Sequence, residues 1–441
     1  MDTLRFLENV RQQLFLDTLR QTQYLPPAQM RAYQDRLLAP LARHAQQHTS
    51  FYADRLTPLF GPDGSFRREG LESVPVLTRE EAQADTDALT SREVPYAAGA
   101  VSSSTTSGST GRAFTHKRNA MADIASVCMT ARSYEWSGID LTGTLADIRY
   151  DRTGRAEPPF GRKAGRWNLG PVASASYLLS INATVEEQLD WLQRNPVDYL
   201  MTYPSNARAL AEAVSAQDLD IRFKHYLSIS ETLDLQTRAL CTRVFGCAIS
   251  DHYGCQEIGL LALECPDCGE YHECAESVLI ELLDEDDRPV GPGEIGRVIV
   301  TSLYNYAMPF IRYEIGDYAM ASEGATTCRR TLPRLARVMG RSRNMFRFPG
   351  GRTIWPNAFN KDVARFLPIR QTQFIQRAPL DILLRYVRDP EGAEPDMHGL
   401  TDCLRDRLDP RIEVQVEEVE RLERTASGKY EDYVSYVTGT A

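Results

Sequence analysis

The segment VEEQLDWLQRNPVDYLMTYPSNARALAEAV, residues 185–214, indicates the architecture of this chain. Residues 185–196 place apolar side chains at helical spacing and end at Pro196, which stops a helix. The next run, VDYLMTY, is typical of a strand, and Ser205 and Asn206 then supply a capping signal for a second helix. This succession of helix, strand and helix predicts an α/β domain with layered, partly parallel sheets.

The same alternation of β-rich and helical stretches extends from about residue 75 to 335, and residues 1–50 are predicted to form helices. Residues 278–303 predict an antiparallel hairpin, because two β-rich runs flank the turn-prone DEDDRPVGPGE. Toward the C-terminus the strand and helix patterns restart on a smaller scale. We therefore predict an α/β fold with a large N-terminal domain of layered sheets, residues 1–340, and a small C-terminal α+β domain, residues 341–441.

The composition excludes several classes of function. The chain has 441 residues, with 50 Lys and Arg against 60 Asp and Glu, a formal net charge of −10 and a pI near 5.4. This balance gives no general attraction to nucleic acid or to anionic membrane surfaces, so neither is an expected partner. Charges interrupt the N-terminal segment every few residues, which predicts an amphipathic helix rather than a signal peptide. Nine cysteines, an odd number, fit a reducing cytoplasm, where we expect the protein to reside.

A loop rich in hydroxyl side chains and glycine, SSSTTSGSTGRAFTH at residues 102–116, is the first candidate for binding chemistry. It lacks the GxxxxGK[ST] pattern of a Walker phosphate loop. Glycine nonetheless allows backbone N–H groups to approach phosphate oxygens, and Ser and Thr hydroxyls add donors. From these residues alone, a phosphate-binding loop and a flexible polar linker are equally good interpretations.

Two further motifs carry candidate binding residues. A strand ending in Asp-His-Tyr-Gly places Tyr253 and Glu257 at the carboxyl edge of a strand, where ligands bind in open α/β sheets. Tyr253 is suited to stacking on a base and Glu257 to binding Mg²⁺, although a buried tyrosine and a solvated glutamate fit the pattern as well. In PFIRYEIGDYA, the carboxylate of Asp317 is suited to binding ribose hydroxyls, or to a surface ion pair with Arg312.

The order of the motifs is more informative than any one of them. A hydroxyl and glycine loop, YGxxE, RYxxGD, GRSxN followed by GxxxxP, and RTxxGK occur in this succession. The chain thereby resembles the adenylate-forming superfamily of acyl-CoA ligases, adenylation domains and luciferases. The phrases TSGSTG, WNLG, YPSNARALAEAV, SDHYGCQEIG and CRRTLPRLARVMGRS are similar more specifically to its phenylacetate–CoA ligase branch. The resemblance extends from about residue 30 to 435.

The resemblance implies an ATP- and Mg²⁺-dependent ligase that activates a carboxylic acid as an acyl-adenylate and then transfers the acyl group to coenzyme A. The acid that it implies is aromatic or otherwise small and apolar. In such enzymes the small C-terminal domain is a mobile lid that rotates between the two half-reactions. The resemblance also leads us to expect a homodimer.

The resemblance assigns site residues position by position. It assigns the ATP β- and γ-phosphates to a loop made of Thr106, Ser107, Gly108, Ser109, Thr110 and Gly111. It assigns Mg²⁺ to Glu257, and it gives Lys429 the role of bridging the attacking carboxylate and the nucleotide. The nucleoside is assigned to residues around the base and the ribose, namely Tyr253 beside the adenine, Ser230 and Glu231 on its other side, Asp317 at the ribose and Arg341 near the ribose and hinge.

The chain departs from the family pattern at three places, none of which removes a catalytic group. These are Arg112 and Ala113 after the phosphate loop, where Lys-Pro is usual, Arg343 and Asn344 at the hinge, where aspartates are common, and Glu423, where proline is common. The hinge change keeps a second hypothesis open, in which an amine or a carrier-protein thiol accepts the acyl group, or AMP itself is transferred. A third hypothesis, a non-catalytic binding protein stabilised by zinc, is opposed by the retained acidic and lysine residues of the motifs.

A cluster of cysteines predicts a structural zinc site. The run CPDCGEYHEC contains a CxxCG knuckle, and thiolates with an imidazole at short spacing suit tetrahedral zinc. With a later cysteine as the fourth ligand, the predicted set is Cys265, Cys268, His272 and Cys328. Thr326 stands where some relatives have a further cysteine, so that Cys268 or Cys274 has to compensate. A set of reduced thiols without a metal is the alternative.

Overall fold

The computed structural model of the chain describes residues 3–106, 114–151, 153–167, 174–324, 326–355, 362–390, 392–422, 425 and 430–437, with side chains from residue 8 onward except that of residue 106. The chain divides into two compact units, Met1–Val338 and Met339–Ala441. No membrane-spanning helix is found in the described ranges.

The helices of the larger unit are α1 (Thr3–Thr22), α2 (Pro27–His48), α3 (Arg79–Ala84), α4 (Thr86–Leu89), α5 (Ala120–Trp136), α6 (Val185–Arg194), α7 (Pro204–Ala216) and α8 (Leu235–Phe245). The predicted N-terminal helices are confirmed as α1 and α2. Helix starts follow from local chemistry. α6 begins at a capping box in which Thr184 and Glu187 bond each other's backbone N–H groups. The predicted cap at Ser205 and Asn206 is wrong, because α7 begins with Pro204 at its first position and these two residues lie inside its first turn.

The strands that begin in this unit are β1 (Val101–Thr106), β2 (Phe114–Asn119), β3 (Thr144–Arg149), β4 (Arg162–Gly165), β5 (Ala175–Ser180), β6 (Tyr199–Thr202), β7 (His225–Ile229), β8 (Ala248–Cys255), β9 (Gly259–Glu264), β10 (Tyr271–Glu273), β11 (Val278–Leu283), β12 (Ile295–Ser302), β13 (Tyr313–Ala321) and β14 (Arg334–Arg341). β1 and β2 form a separate antiparallel pair. The other twelve form one mixed sheet in the order β11-β12-β13-β14-β10-β9-β8-β7-β6-β3-β5-β4.

One block of this sheet is parallel. β5, β3, β6, β7 and β8 pair in the same direction, with His225 opposite Ala248 where β7 meets β8. The helices α6, α7 and α8 connect these strands and contribute to a core that includes Trp191, Leu200 and Tyr226. The carboxyl ends of the parallel strands therefore meet at one edge, and the predicted α/β class with partly parallel sheets is confirmed.

The rest of the sheet is antiparallel. β11 and β12 form the hairpin that was expected over residues 278–303, with Val278 opposite Ser302. β8 turns back into β9, β9 pairs with β10, and β10 pairs with β14. A second core, which includes Phe310 and Tyr313, joins this part of the sheet to residues of α1, α2 and α5.

The smaller unit contains β15 (Phe346–Arg347), β16 (Thr353–Ile354), β17 (Ile369–Ala378), β18 (Asp381–Arg388), α9 (Met397–Arg407), β19 (Glu413–Glu418) and β20 (Tyr433–Ser435). Its four-stranded sheet has the order β19-β18-β17-β20. Leu400 and Leu404, one helical turn apart on α9, share a core with Phe374 and Leu384 of the sheet. The α+β character predicted for this part of the chain is confirmed.

Candidate functional site

Part of the predicted phosphate loop lies outside the described residues. The loop positions concerned are Ser107, Gly108, Ser109, Thr110 and Gly111. Lys429, the lysine predicted to contact the reacting groups, also lies outside the described residues. Thr106 is the last residue of β1, and its side chain is also outside the described set. The strands that flank the loop are described, and the hydroxyls of Thr105 and Thr115 lie 3.0 Å apart across β1 and β2. The assignments to phosphate binding and to Lys429 stay predictions.

Two of the predicted nucleotide residues are brought together. Tyr253 lies near the carboxyl end of β8, and Asp317 lies in the middle of β13. The phenol hydroxyl of Tyr253 donates a hydrogen bond to Asp317 Oδ2 at 3.1 Å, and both side chains are buried. An aromatic ring and a carboxylate therefore stand side by side, an arrangement suited to a base and to the hydroxyls of its ribose.

Glu257 lies in the turn between β8 and β9, and its carboxylate is buried. Arg79, the first residue of α3, donates to Glu257 Oε1 at 2.7 Å, and Glu257 is only 3% exposed. Arg118 on β2 lies 3.5 Å from the backbone carbonyl of Glu257. His116, also on β2, is buried, and burial lowers its pKa below the ordinary histidine value. The predicted solvated glutamate is therefore excluded, because this carboxylate is held inside the protein by an arginine.

Ser230 and Glu231 follow β7 directly, at the carboxyl edge of the parallel strands. Ser230 has a φ of 70°, in the left-handed region that few residues other than glycine adopt. The carboxylate of Glu231 accepts a hydrogen bond of 3.0 Å from the backbone N–H of Ser205 in the first turn of α7. This hydrogen bond holds the turn after β7 next to the N-terminus of α7. The turn lies beside the end of β8 that carries Tyr253.

A further buried carboxyl group, that of Asp251, lies near the carboxyl edge of the parallel strands and was not among the predicted site residues. Asp251 on β8 accepts hydrogen bonds from the hydroxyls of Ser228 at 2.6 Å and Tyr271 at 2.7 Å. Burial raises the pKa of Asp251 to about 6, against the lowering effect of these two donors. The residue belongs to the quoted phrase SDHYGCQEIG, and its position two residues before Tyr253, on the same face of the strand, is the signal that was missed.

The two charged residues of RYxxGD do not face each other. Arg312 has a φ of 51° and is 2% exposed, and its guanidinium binds the Glu281 carboxylate at 3.2 Å. The alternative of a surface ion pair between Arg312 and Asp317 is therefore wrong. The bend at Arg312, just before β13, points the arginine into the core, while Asp317 on β13 faces Tyr253.

Arg341 is the last residue of β14 and precedes a single 3₁₀ turn, Ser342–Asn344. Within this turn, Arg343 forms an ion pair with Glu431, near the C-terminus of the smaller unit. The arginine at a predicted hinge position is thus engaged by an acidic partner of its own unit. The predicted role of Arg341 near the ribose stays a prediction.

The predicted metal ligands converge. Each of Cys265, Cys268, His272 and Cys328 offers one ligand atom, and these four atoms all lie within 4.8 Å of one another. The sulfurs of Cys265 and Cys328 are 3.6 Å apart, and Cys268 Sγ lies 3.8 Å from His272 Nε2. Tetrahedral zinc with bonds of about 2.3 Å to sulfur and about 2.0 Å to nitrogen separates its ligand atoms by roughly 3.5–3.8 Å. The arrangement therefore fits a zinc ion in both ligand type and spacing.

Neighbouring residues orient this cluster. His272 Nδ1 lies 3.2 Å from the carbonyl oxygen of Leu332, which leaves Nε2 facing the thiols. Thr326 does not replace a cysteine ligand, since its hydroxyl accepts a hydrogen bond from the backbone N–H of Cys328 at 3.1 Å. Cys274 is not a member of the cluster. Of the two cysteines proposed to compensate for Thr326, the geometry therefore selects Cys268.

Arg330 and Trp136 form the outer side of the cluster. Arg330 Nη1 lies 3.2 Å from Cys265 Sγ and 3.7 Å from Cys328 Sγ, and its guanidinium stacks 4.3 Å from the Trp136 ring. The Trp136 ring packs beside His272 of the cluster at the end of α5, and its indole N–H donates to Gln23 at 2.8 Å.

Comparison with solved structures defines the class of protein. The fold is similar to that of 2-hydroxyisobutyryl-CoA ligase in the postadenylation state, with a TM-score of 0.73 and 18% identity, over 93% of this chain and 90% of that chain. It is also similar to an anthranilate CoA ligase in complex with anthranoyl-AMP, with a TM-score of 0.54 and 16% identity, over 74% of this chain and 65% of that chain. The chain therefore has the fold of the adenylate-forming ligases. No protein-family model matches it.

Sequence similarity points to a particular branch of this class. The chain is 28% identical over 169 residues to the phenylacetate-coenzyme A ligase of Thermus thermophilus, over 36% of this chain and 38% of that protein. It is 30% identical over 152 residues to the phenylacetate-coenzyme A ligase of Escherichia coli, over 32% of this chain and 33% of that protein. The chain thus matches little more than a third of the length of these curated relatives. The predicted resemblance to the phenylacetate–CoA ligase branch is confirmed.

Proposed function

We propose that this chain is an ATP-dependent acid–CoA ligase that activates a small carboxylic acid as an acyl-adenylate and transfers the acyl group to the thiol of coenzyme A. The observation that carries the proposal is the hydrogen bond between Tyr253 and Asp317 beside the turn that holds Glu257, on a fold similar to that of such ligases. These three residues are the ones that the sequence resemblance assigns to adenine, ribose and metal.

In the first half-reaction, a carboxylate oxygen of the acid attacks the α-phosphorus of ATP, the bond from that phosphorus to the bridging oxygen breaks, and pyrophosphate leaves. Two anions have to approach each other, so the protein has to provide positive charge and hydrogen-bond donors. Lys429 takes the position between the carboxylate and the nucleotide, and the hydroxyl and amide groups of residues 106–111 bind the β- and γ-phosphates. Mg²⁺, when bound, supplies further neutralisation of the triphosphate.

The described residues suit the nucleotide and its metal. Asp317 accepts hydrogen bonds from ribose hydroxyls, and Tyr253 holds that carboxylate while its ring lies beside the adenine. Ser230 and Glu231 lie on the other side of the base, in the turn that follows β7. Glu257 suits Mg²⁺ because this cation is commonly held by one or two carboxylates together with substrate phosphates.

In the second half-reaction, the thiolate sulfur of coenzyme A attacks the acyl carbon of the mixed anhydride, the bond to the phosphate oxygen breaks, and AMP leaves. The thiol proton passes to solvent. The large domain, residues 1–340, binds ATP and the acid, and the small domain, residues 341–441, acts as the mobile lid, with Arg341 at the hinge. A homodimer in the cytoplasm stays a prediction from the sequence.

The acid substrate belongs to the aromatic or small apolar carboxylic acids. Sequence similarity to phenylacetate-coenzyme A ligases supports this class.

The Cys/His cluster holds a structural zinc ion. Three thiols and one imidazole make a complete tetrahedral set with no position left for substrate, which is typical of structural rather than catalytic zinc. Residues from β10, from the turn before it and from the segment before β14 meet here, so the metal ties together parts of the chain 63 residues apart.

A second candidate function retains the adenylation but changes the acceptor to an amine, a carrier-protein thiol or a hydroxyl that receives AMP. The observation that favours it is the ion pair of Arg343 with Glu431. An arginine engaged in this way occupies a hinge position at which aspartates are common in the family, so the segment about which the lid would rotate differs in charge from the usual one.

The test is acid-dependent release of pyrophosphate from ATP and Mg²⁺, across aryl, hydroxyaryl, aminoaryl and short alkyl carboxylates, with and without coenzyme A. We expect one aryl or small apolar acid to trigger release and coenzyme A to accelerate it, with an acyl-CoA thioester and AMP as products. Release that is indifferent to coenzyme A would favour the second candidate function. Absence of release with every acid would contradict the ligase.

A further inference from the structure

The buried carboxylate of Glu257 forms an ion pair with an arginine side chain. Arg79 binds it at 2.7 Å, and the two side chains are 17% and 4% exposed respectively. An ionised carboxylate at this depth is strongly destabilised unless a positive charge or several donors compensate it. Arg79 therefore supplies the positive charge that compensates the buried Glu257 carboxylate.

The position of Arg79 is determined by the backbone around it. Thr78 caps α3, with its hydroxyl accepting from the N–H of Glu81 at 3.1 Å and its own N–H donating to the Glu81 carboxylate at 2.9 Å. The preceding residue, Leu77, forms backbone hydrogen bonds of 2.8 and 2.9 Å with the chain at the start of β13. Arg79 is therefore held in place by hydrogen bonds of the residues before and after it, and its guanidinium reaches Glu257 from the first residue of α3.

Among the described residues, the other basic groups near Glu257, Arg118 and His116, form no ion pair with its carboxylate. The guanidinium of Arg118 donates to the Asp123 carboxylate at 2.7 Å and to the Ala122 carbonyl at 3.0 Å, and it approaches the backbone of Glu257 rather than its carboxylate. Burial lowers the pKa of His116, which favours the neutral imidazole. Arg79 is thus the charged partner of the Glu257 carboxylate among the described residues.

From this geometry we infer that Arg79 and the Mg²⁺ that accompanies ATP compete for the carboxylate of Glu257. The inference rests on the proposed function, in which Glu257 is the metal ligand. Mg²⁺ bonds to a carboxylate oxygen at about 2.1 Å, and a guanidinium on the same carboxylate then lies close enough to repel it, so that binding of one cation weakens binding of the other. Arg79 is therefore a positioning residue: it holds the carboxylate ready and is replaced when the metal and nucleotide arrive.

The test measures ATP binding by calorimetry at increasing Mg²⁺ concentrations, with the full chain and without acid, so that no turnover contributes. In Arg79→Gln the competitor is lost, and we expect the Mg²⁺ concentration at half-maximal ATP binding to fall at least about fivefold, the size of a typical coupling between two ligands of one site. A matched control is Arg68→Gln, because Arg68 pairs with Asp35 of α2 at 2.6 Å, and this variant is expected to keep the wild-type value.

Two further variants separate the possible failures. Glu257→Gln should abolish the difference between Arg79→Gln and wild type, and it should raise the Mg²⁺ requirement on its own. If Glu257→Gln raises the requirement but Arg79→Gln leaves it unchanged or higher, the competition is refuted and the metal assignment stands. If Glu257→Gln has no effect, the metal assignment itself fails, and the inference with it. Should Arg79→Gln not fold, Arg79→Lys decides: a fall is expected from its weaker pairing, and no change or a rise overturns the inference.

Discussion

Tyr253 on β8 donates a hydrogen bond to Asp317 on β13 at 3.1 Å, although β9, β10 and β14 lie between these strands in the order of the sheet. A flat sheet with strands about 4.8 Å apart would separate them by roughly 19 Å. The contact therefore requires the antiparallel part of the sheet to curl back over the end of the parallel part. This curvature brings the Tyr253 ring, the Asp317 carboxylate and the turn that holds Glu257 into one region of the protein.

Removing the charge of Asp317 should weaken nucleotide binding more than removing the hydroxyl of Tyr253. Asp317→Asn weakens the hydrogen bonds that the carboxylate accepts directly from ribose, so we expect ATP affinity to fall about 10- to 100-fold. Tyr253→Phe removes only the hydroxyl that positions this carboxylate, and we expect a loss of about fivefold. Calorimetric titration with ATP and Mg²⁺ checks both values. Tyr318→Phe is the matched control, since the neighbouring Tyr318 hydroxyl binds Glu285 at 2.8 Å instead. Equal losses in all three variants would contradict the assignment.

Asp251 should make stability depend on pH in a defined direction. Burial raises its pKa from 3.8 to about 6, so the folded protein keeps a proton that the unfolded chain has already released. The stabilisation is therefore complete below about pH 4 and is lost as the pH rises through 6, with a total of about 3 kcal/mol as an upper limit. Asp251→Asn cannot titrate, so the difference in unfolding free energy between wild type and variant should decrease from pH 4 to 6. Urea unfolding followed by tryptophan fluorescence measures this difference, and a constant value would refute the prediction.

We predict that Cys268 is a zinc ligand and that Cys274 is not. We expect about one zinc per chain by elemental analysis and a lower melting temperature after chelation, because a structural metal stabilises the fold it belongs to. Cys268→Ala should lose the zinc, whereas Cys274→Ala, a nearby buried cysteine outside the cluster, should keep it. Zinc retention in both variants would point away from the four-ligand site.

Arg330 should strengthen zinc binding. A site of three thiolates and one imidazole carries a net negative charge with Zn²⁺, and Arg330 lies 3.2 Å from Cys265 Sγ and 3.7 Å from Cys328 Sγ. Loss of an outer hydrogen-bond donor typically costs about 10- to 100-fold in metal affinity, and we expect a loss in this range for Arg330→Ala in competition with a chromogenic chelator. The adjacent, exposed Arg329 provides the control, and Arg329→Ala should bind zinc as the wild type does. A shared loss in both arginine variants would show a general effect of charge.

Lys429 should be needed for chemistry and not for nucleotide binding. Because it is assigned to the reacting carboxylate and phosphate, Lys429→Ala should reduce acid-dependent pyrophosphate exchange at least about 100-fold while ATP affinity changes little. Exchange of labelled pyrophosphate into ATP gives the first quantity, and calorimetry gives the second. Near-normal exchange would remove Lys429 from the mechanism.

Much of the fold was open to prediction from local patterns. Thr184 and Glu187 form the capping box of α6, and proline begins α7, so the alternation around residues 185–214 is set by neighbouring residues. The hairpin over residues 278–303 follows in the same way from its turn sequence. The spacing of Cys265, Cys268 and His272 predicted three members of the Cys/His cluster, because all three lie within one turn and the strand that follows it.

The long-range contacts of the site were not open to such reasoning. Arg79 and Glu257 are 178 residues apart, and the sequence around Arg79 indicated only the start of a helix. Arg312 and Asp317 are close in the chain, yet the turn at Arg312 sends their side chains to different partners. Neither outcome is contained in a local pattern, because each depends on which strands and helices become neighbours.

The sequence by itself determined the elements, the α/β class, the order of the motifs and the short spacing of two thiols and an imidazole in the Cys/His cluster, since these depend on hydrogen bonds and periodicities within a few residues. Only the tertiary structure decided that Tyr253 meets Asp317, that Arg79 neutralises Glu257 and that Cys268 rather than Cys274 completes the cluster. The physical reason is that strand order and sheet curvature result from burial summed over the whole core, so that distant residues meet only when the packed chain brings them together.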